Sequence, residues 1–168
     1  MRFGILVLLN AALLFGESVA GVTWTAPDTW ISKGPAAMRA ATYTVQDAEC
    51  VVYFFGQGQG GSVEANLARW SSQFTQSGMP AKAMIAKKTV HGLAVTTMDV
   101  SGAYAGIAGA GMAGAGMALA APKPDYRMLA AIIENPGGNI FLKFTGPAKT
   151  VTANLRNFEL LVASIHKE

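Results

Sequence analysis

The stretch of this sequence best suited to hold a ligand is Gly56-Gln-Gly-Gln-Gly-Gly-Ser62. It follows an apolar run and ends on serine, a good helix N-cap. Backbone N–H groups at a helix N-terminus attract anions, and glycine lets a ligand approach the chain closely. Gly56, Gly58, Gly60, Gly61 and Ser62 are therefore the candidate anion or polar-ligand site. The loop departs from both phosphate-binding patterns. No Gly-Lys-Ser/Thr follows it, and the next strand reads as antiparallel rather than as part of a βαβ unit. The competing reading is a tight connection that only glycine permits.

Other chemistry has little to draw on. Hydrolytic and transfer enzymes need a nucleophile with a base, paired carboxylates or a metal. The chain has two histidines: His91 falls in a predicted tight turn, and His166 lies two residues from the C-terminus. There is no G-x-S-x-G, no H-E-x-x-H and no CxxC. The single cysteine, Cys50, lies in the apolar run Cys50-Val-Val-Tyr-Phe-Phe55 beside Glu49, a setting for a buried small hydrophobe and not for a reactive thiolate. Met112 and Met117 lack a nearby His or Cys and make a poor soft-metal site. No catalytic residue, metal or cofactor is expected. A deep pocket gathering Arg39, Glu64, Arg127 or His91 would favour a small secreted hydrolase instead. A dry cavity lined by Phe54, Trp70, Phe74 and Phe158 would favour a carrier of an apolar ligand.

Residues 1–20 read as a secretory signal peptide. Arg2 is the basic start, Phe3 to Phe15 the apolar stretch, and Ser18-Val19-Ala20 a small-x-small cleavage site before Gly21. The apolar stretch would span about 20 Å as a helix, against about 30 Å for a hydrocarbon core. No transmembrane span is expected after cleavage. Residues 21–168 are the size of one domain, which works in the periplasm or outside the cell. The formal net charge is +3, and Lys87-Lys88 is the only adjacent basic pair. Nucleic-acid binders cluster their basic residues on one face, so nucleic acid is excluded as a partner.

The elements follow from periodicity. Two tryptophans flank Pro27 in Trp24-Thr-Ala-Pro-Asp-Thr-Trp30, an extended segment entering a turn, and both read as packing anchors. Met38–Val45 and Glu49–Phe55 read as strands, the second apolar on both faces and so covered on both. Val63, Leu67, Trp70 and Phe74 form one helical stripe over 63–76. Two hairpins follow: Lys82–Val90 with Leu93–Val100 through His91-Gly92, and Tyr126–Glu134 with Asn139–Phe144, placed centrally. Pro147 opens a last helix running to about Ile165. Between the hairpins, residues 102–121 form an uncharged Gly/Ala/Met insertion built on the tandem Ala108–Met112 and Ala113–Met117. Glycine at this density favours a flexible loop.

This order, with the Trp24-x-x-Pro27-x-x-Trp30 opening, resembles the PsbP-like fold over roughly residues 24–165. The resemblance implies an antiparallel sheet with helices packed on both faces and a non-enzymatic binding or assembly role. No motif matches position for position, so no functional residue carries over, and the Gly/Ala/Met insertion is a departure. The residue runs also resemble those of small bacterial exported proteins. The expectation is an α+β domain with an antiparallel sheet of five to six strands. It would bind a partner protein or a small ligand, or assist assembly at the cell envelope.

Overall fold

Two segments rich in Ile, Leu, Met and Phe sit at the centre of the sheet, as their apolarity demands. The computed structural model describes residues 17–106 and 121–168. The apolar stretch Phe3 to Phe15, expected to be part of a signal peptide, and the tandem Gly/Ala/Met repeat lie outside the described residues. Strand β10 (Lys123–Glu134) and strand β11 (Ile140–Pro147) pair antiparallel from Tyr126↔Pro147 to Ile133↔Ile140. Around them lie β9 (Leu93–Tyr104) beside β10, then β5 (Ala48–Phe54) beside β11 and β4 (Arg39–Val45) beside β5. Strand β8 (Met84–Val90) pairs with β9 across the His91-Gly92 turn, where both residues have positive φ, as a two-residue hairpin of this twist requires.

These six long strands are the ones periodicity predicts. Among the described residues, the sheet nevertheless has nine strands, not five to six. The three extra, β3 (Ile31–Ser32), β6 (Phe74–Gln76) and β7 (Met79–Pro80), are two or three residues long. Segments that short carry no readable alternation; tertiary pairing makes them. A second sheet of three strands joins β1 (Glu17–Val19), β2 (Val22–Trp24) and β12 (His166–Lys167).

Successive side chains of a strand point to opposite faces, and β10 divides accordingly. Leu129, Ala131 and Ile133 join a cluster with Trp24, Trp30, Tyr43, Cys50, Phe144, Phe158 and Leu161. Met128, Ala130 and Ile132 join another with Val63, Leu67, Trp70, Phe74 and Phe141. The first cluster takes its helical residues from α2 (Ala148–Ala153) and α3 (Leu155–Ser164), and the second from α1 (Val63–Ser71). Strand β5 feeds both: Cys50 and Val52 pack in the first, while Tyr53 packs against the second. Both N-terminal tryptophans are anchors. Trp24 Nε1 donates to the Tyr43 hydroxyl at 2.7 Å, and the Trp30 ring lies 5.0 Å from that of Phe144.

Two helix boundaries depart from the periodic reading. Helix α1 ends at Ser71, not 76: Phe74 keeps its apolar position, but the chain there is extended and pairs with Tyr104. The helix expected over 147–165 breaks at Asn154. The Asn154 side chain donates to the Thr150 carbonyl at 3.0 Å and accepts from Trp30 Nε1 at 3.3 Å, so a polar network reaching back to the N-terminal segment ends one helix and starts the next. Among the described residues, no helix is long and apolar enough to cross a membrane.

Candidate functional site

Alternation along β11 places Lys143 and Thr145 on the same face as Phe141. The same parity aims Tyr53 and Glu49 from β5 and Tyr104 from β9 to that side. Two irregularities bring in further groups. The register shifts between Arg39 and Ala41, and again between Lys123 and Tyr126, where Asp125 has φ +52°. Such bulges re-aim the side chains beside them. The result is a cleft of about 520 Å³ lined by Arg39, Glu49, Tyr53, Gln73, Tyr104, Lys123, Tyr126 and Lys143, among others.

Its walls carry three tyrosines, and its charges are Arg39, Lys123 and Lys143 against Asp47 and Glu49. The rings of Tyr104 and Tyr126 stack at 5.7 Å with an interplanar angle of 9°. Lys123 Nζ lies 5.5 Å from the Tyr126 ring centre. Arg39 Nη1 bonds Glu49 Oε1 at 3.1 Å, and its guanidinium lies 5.7 Å from the Tyr53 ring. Lys143, like Lys123, has no ion-pair partner among the described residues, but it is half-buried where Lys123 is exposed, and its Nζ lies 5.5 Å from the Trp70 ring. Burial, then the nearby charges of Arg69 and Arg39, lowers its pKa to about 8. The Tyr53 phenol is shifted upward, by burial first and despite Arg39, and stays neutral at pH 7. Burial likewise raises the Tyr104 phenol, with smaller contributions from Tyr53 and Tyr126. Gln73 is 8% exposed, and its side-chain Oε1 has no hydrogen-bond partner among the described residues. A buried acceptor without a donor is costly, about 1–3 kcal/mol, and a ligand N–H or O–H would relieve it.

The lysine shift has a direct readout. A lysine of depressed pKa is a free amine at pH 8 in a far larger fraction than a solvated one near 10.4. Brief treatment with an amine-acylating reagent at pH 8 should modify Lys143 ahead of the exposed Lys87 and Lys88, as peptide mapping would show. Equal labelling of all three would contradict the assignment. The linkage sign follows from the same shift. The folded state loses the Lys143 proton at a lower pH than the unfolded chain does. Burying the charge therefore costs stability below about pH 8, and that cost is relieved as pH rises toward the unfolded value.

The glycine loop has a different character. The Ser62 hydroxyl caps α1 by accepting from Ala65 N at 3.1 Å. Asn66 Nδ2 donates to the carbonyls of Gly60 and Ser62 at 2.8 and 2.9 Å. Gly60 has φ +89°, and a Cβ there would meet the Phe141 and Phe55 rings at 2.7 and 2.8 Å. Gly56, Gly58 and Gly61 also have positive φ. None of the five loop residues lines the tyrosine cleft.

The residues whose gathering would favour catalysis are dispersed. Only Arg39 lines the cleft. Arg127 makes a two-pronged bond to Asp99 at 2.9 and 2.6 Å and a third to Thr152. His91 Nδ1 lies 2.8 Å from the Ile165 carbonyl, and Glu64 sits in the first turn of α1. The four aromatics named for an apolar carrier also divide, Phe54 and Phe158 with one cluster and Trp70 and Phe74 with the other. Cys50 is fully buried, and burial pushes its thiol far up.

Lys143, Gln73 and the three tyrosines belong to no sequence motif. One signal was available: Lys143 is the only charge in Ile140-Phe-Leu-Lys-Phe144, a strand apolar on both sides of it. Lysine is almost never buried without a reason. The tyrosines come from three strands far apart in the chain, and only pairing unites them.

No family model matches the sequence. No curated protein matches it. Among solved structures, the solution structure of cyanobacterial PsbP (CyanoP) from Synechocystis sp. PCC 6803 is similar, with a TM-score of 0.54 and 12% identity. The match covers 92% of this chain and 91% of that one. At that identity the likeness is one of architecture, and the chain has the PsbP-like fold.

Proposed function

We propose that the protein is an exported, non-catalytic binding domain whose tyrosine cleft takes a small anionic ligand that also carries a hydrogen-bond donor. The observation that carries this reading is Lys143, a half-buried ammonium without an ion-pair partner among the described residues, in a cleft shared with the orphaned Gln73 Oε1. An anion would pair with Lys143, a donor would satisfy Gln73, and an aromatic or other flat body would lie on the Tyr104–Tyr126 stack. The helices lie on opposite faces of the sheet in this reading, and α1 covers only part of its side, leaving the cleft open beyond it. The dispersal of Arg39, Glu64, Arg127 and His91 favours binding over hydrolysis. The division of Phe54, Trp70, Phe74 and Phe158 between two packed clusters favours a polar-ligand site over an apolar carrier cavity. Action outside the cytoplasm rests on the leader-like residues 1–20.

A suitable probe is 4-hydroxybenzoate, which combines a carboxylate, a flat ring and a hydroxyl donor. Trp70, beside Lys143, is a built-in reporter. Titration should give a saturable change in tryptophan emission, weakened by added salt and absent in Lys143→Met. An unsaturable response, or the same response in the variant, would contradict the site.

A further inference from the structure

We infer that the segment Glu17–Ala20 is part of the mature folded protein, so that the leader is removed before Glu17 and not between Ala20 and Gly21. This rests on the export reading above. Glu17, Ser18 and Val19 pair antiparallel with Trp24, Thr23 and Val22. The turn between them is Ala20-Gly21, with φ +54° and +72°, the geometry of a two-residue turn matched to strand twist. The Ala20–Gly21 bond is thus the middle of a hairpin whose second strand is anchored, since Val22 and Trp24 are each 1% exposed.

Several contacts tie the segment to the rest of the molecule. Val19 packs against the core that holds Trp24 and Leu161. The Ala20 carbonyl accepts from Asn135 Nδ2 at 3.1 Å, under the turn of the central β10–β11 hairpin. Ser32 donates to Glu17 Oε1 at 3.2 Å. Strand β2 is paired on both sides, by β1 and by β12. Cutting after Ala20 would strip one partner from β2 and leave its backbone groups on that edge to water. It would also place a charged amino terminus at Gly21, whose carbonyl accepts from Glu168 N at 3.1 Å. In sequence terms a cut before Glu17 would follow Leu14-Phe15-Gly16, which ends on a small residue but has leucine where the small-x-small pattern has its other one, so the hairpin and its contacts carry the inference and the leader pattern does not.

The test is the denatured mass of the chain recovered from the exported fraction, read together with Ala20→Asn. Asparagine is too large for the last residue of a small-x-small cleavage site, yet Asn-Gly is the preferred pair for this turn. The variant therefore blocks a cut after residue 20 without harming the fold. The expected result is a wild-type mass that includes Glu17–Ala20, with Ala20→Asn processed at the same place and melting no lower. A wild-type mass starting at Gly21, or Ala20→Asn accumulating as the uncut precursor, would overturn the inference. A full-length wild-type mass in that fraction would instead overturn the reading of residues 1–20 as a cleaved leader, on which the inference rests.

Discussion

Phe144→Ala should destabilise the protein by about 3–5 kcal/mol, the range for emptying a fully buried phenylalanine site. Phe144 is 0% exposed and sits on β11, the strand between β5 and β10. Its ring lies 5.0 Å from Trp30 and 6.1 Å from Phe158, so it joins the N-terminal segment and α3 to the sheet. The site cannot collapse easily, because Cys50 and Leu129, its neighbours across the two flanking strands, are themselves buried. Denaturant unfolding should show a much lower midpoint with an unchanged slope. A loss below about 1 kcal/mol would mean that Trp30 or Phe158 relaxes into the space, and that this core is less tightly joined than described.

Lys143→Met should act in the opposite sense on stability and strongly on binding. Methionine keeps the length and apolar stem of lysine but removes the ammonium that burial and two arginines disfavour. Thermal melting at pH 7 should be unchanged or higher. Affinity for an anionic ligand should fall at least about tenfold, since a hydrogen bond to a charged group contributes about 1.5–3 kcal/mol. The combination separates a binding role from a structural one. A lysine kept for the fold would leave the variant less stable with its affinity intact. Lys143→Arg keeps the charge but not the compact ammonium, and should recover part of the binding.

Much of the architecture was readable because long apolar periodic segments dictate it. The apolar runs of β10 and β11, bounded by the Asn135-Pro-Gly-Gly138 turn, read as central strands, and they are. The His91-Gly92 turn and the Ser62 cap also carry local chemistry that fixes structure without help from the rest of the chain. What escaped depends on distant partners. Phe74 continues the stripe of Val63, Leu67 and Trp70, so periodicity extends the helix through it. Pairing with Tyr104 wins there, because it satisfies backbone groups beside a buried Gln73. Asn154 interrupts the last helix because Trp30, far earlier in the chain, donates to its side chain. The cleft is the extreme case. Its residues come from β4, β5, the turn after α1, β9, β10 and β11, and two register shifts aim several of them. The glycine loop attracted notice because its composition is local and conspicuous. Its contacts are those of a tight connection, with Gly60 packed against two phenylalanine rings.

The claim that the tyrosine cleft is the ligand site is tested most directly by native mass spectrometry of wild type and Lys143→Met from the exported fraction, in parallel. A ligand held at Lys143 should appear as a small extra mass on the wild-type protein that disappears on denaturation and is at least about tenfold depleted in the variant. Extra mass retained equally by both proteins would place the ligand elsewhere, and a bare wild-type protein that also ignores 4-hydroxybenzoate would contradict the binding role of this cleft.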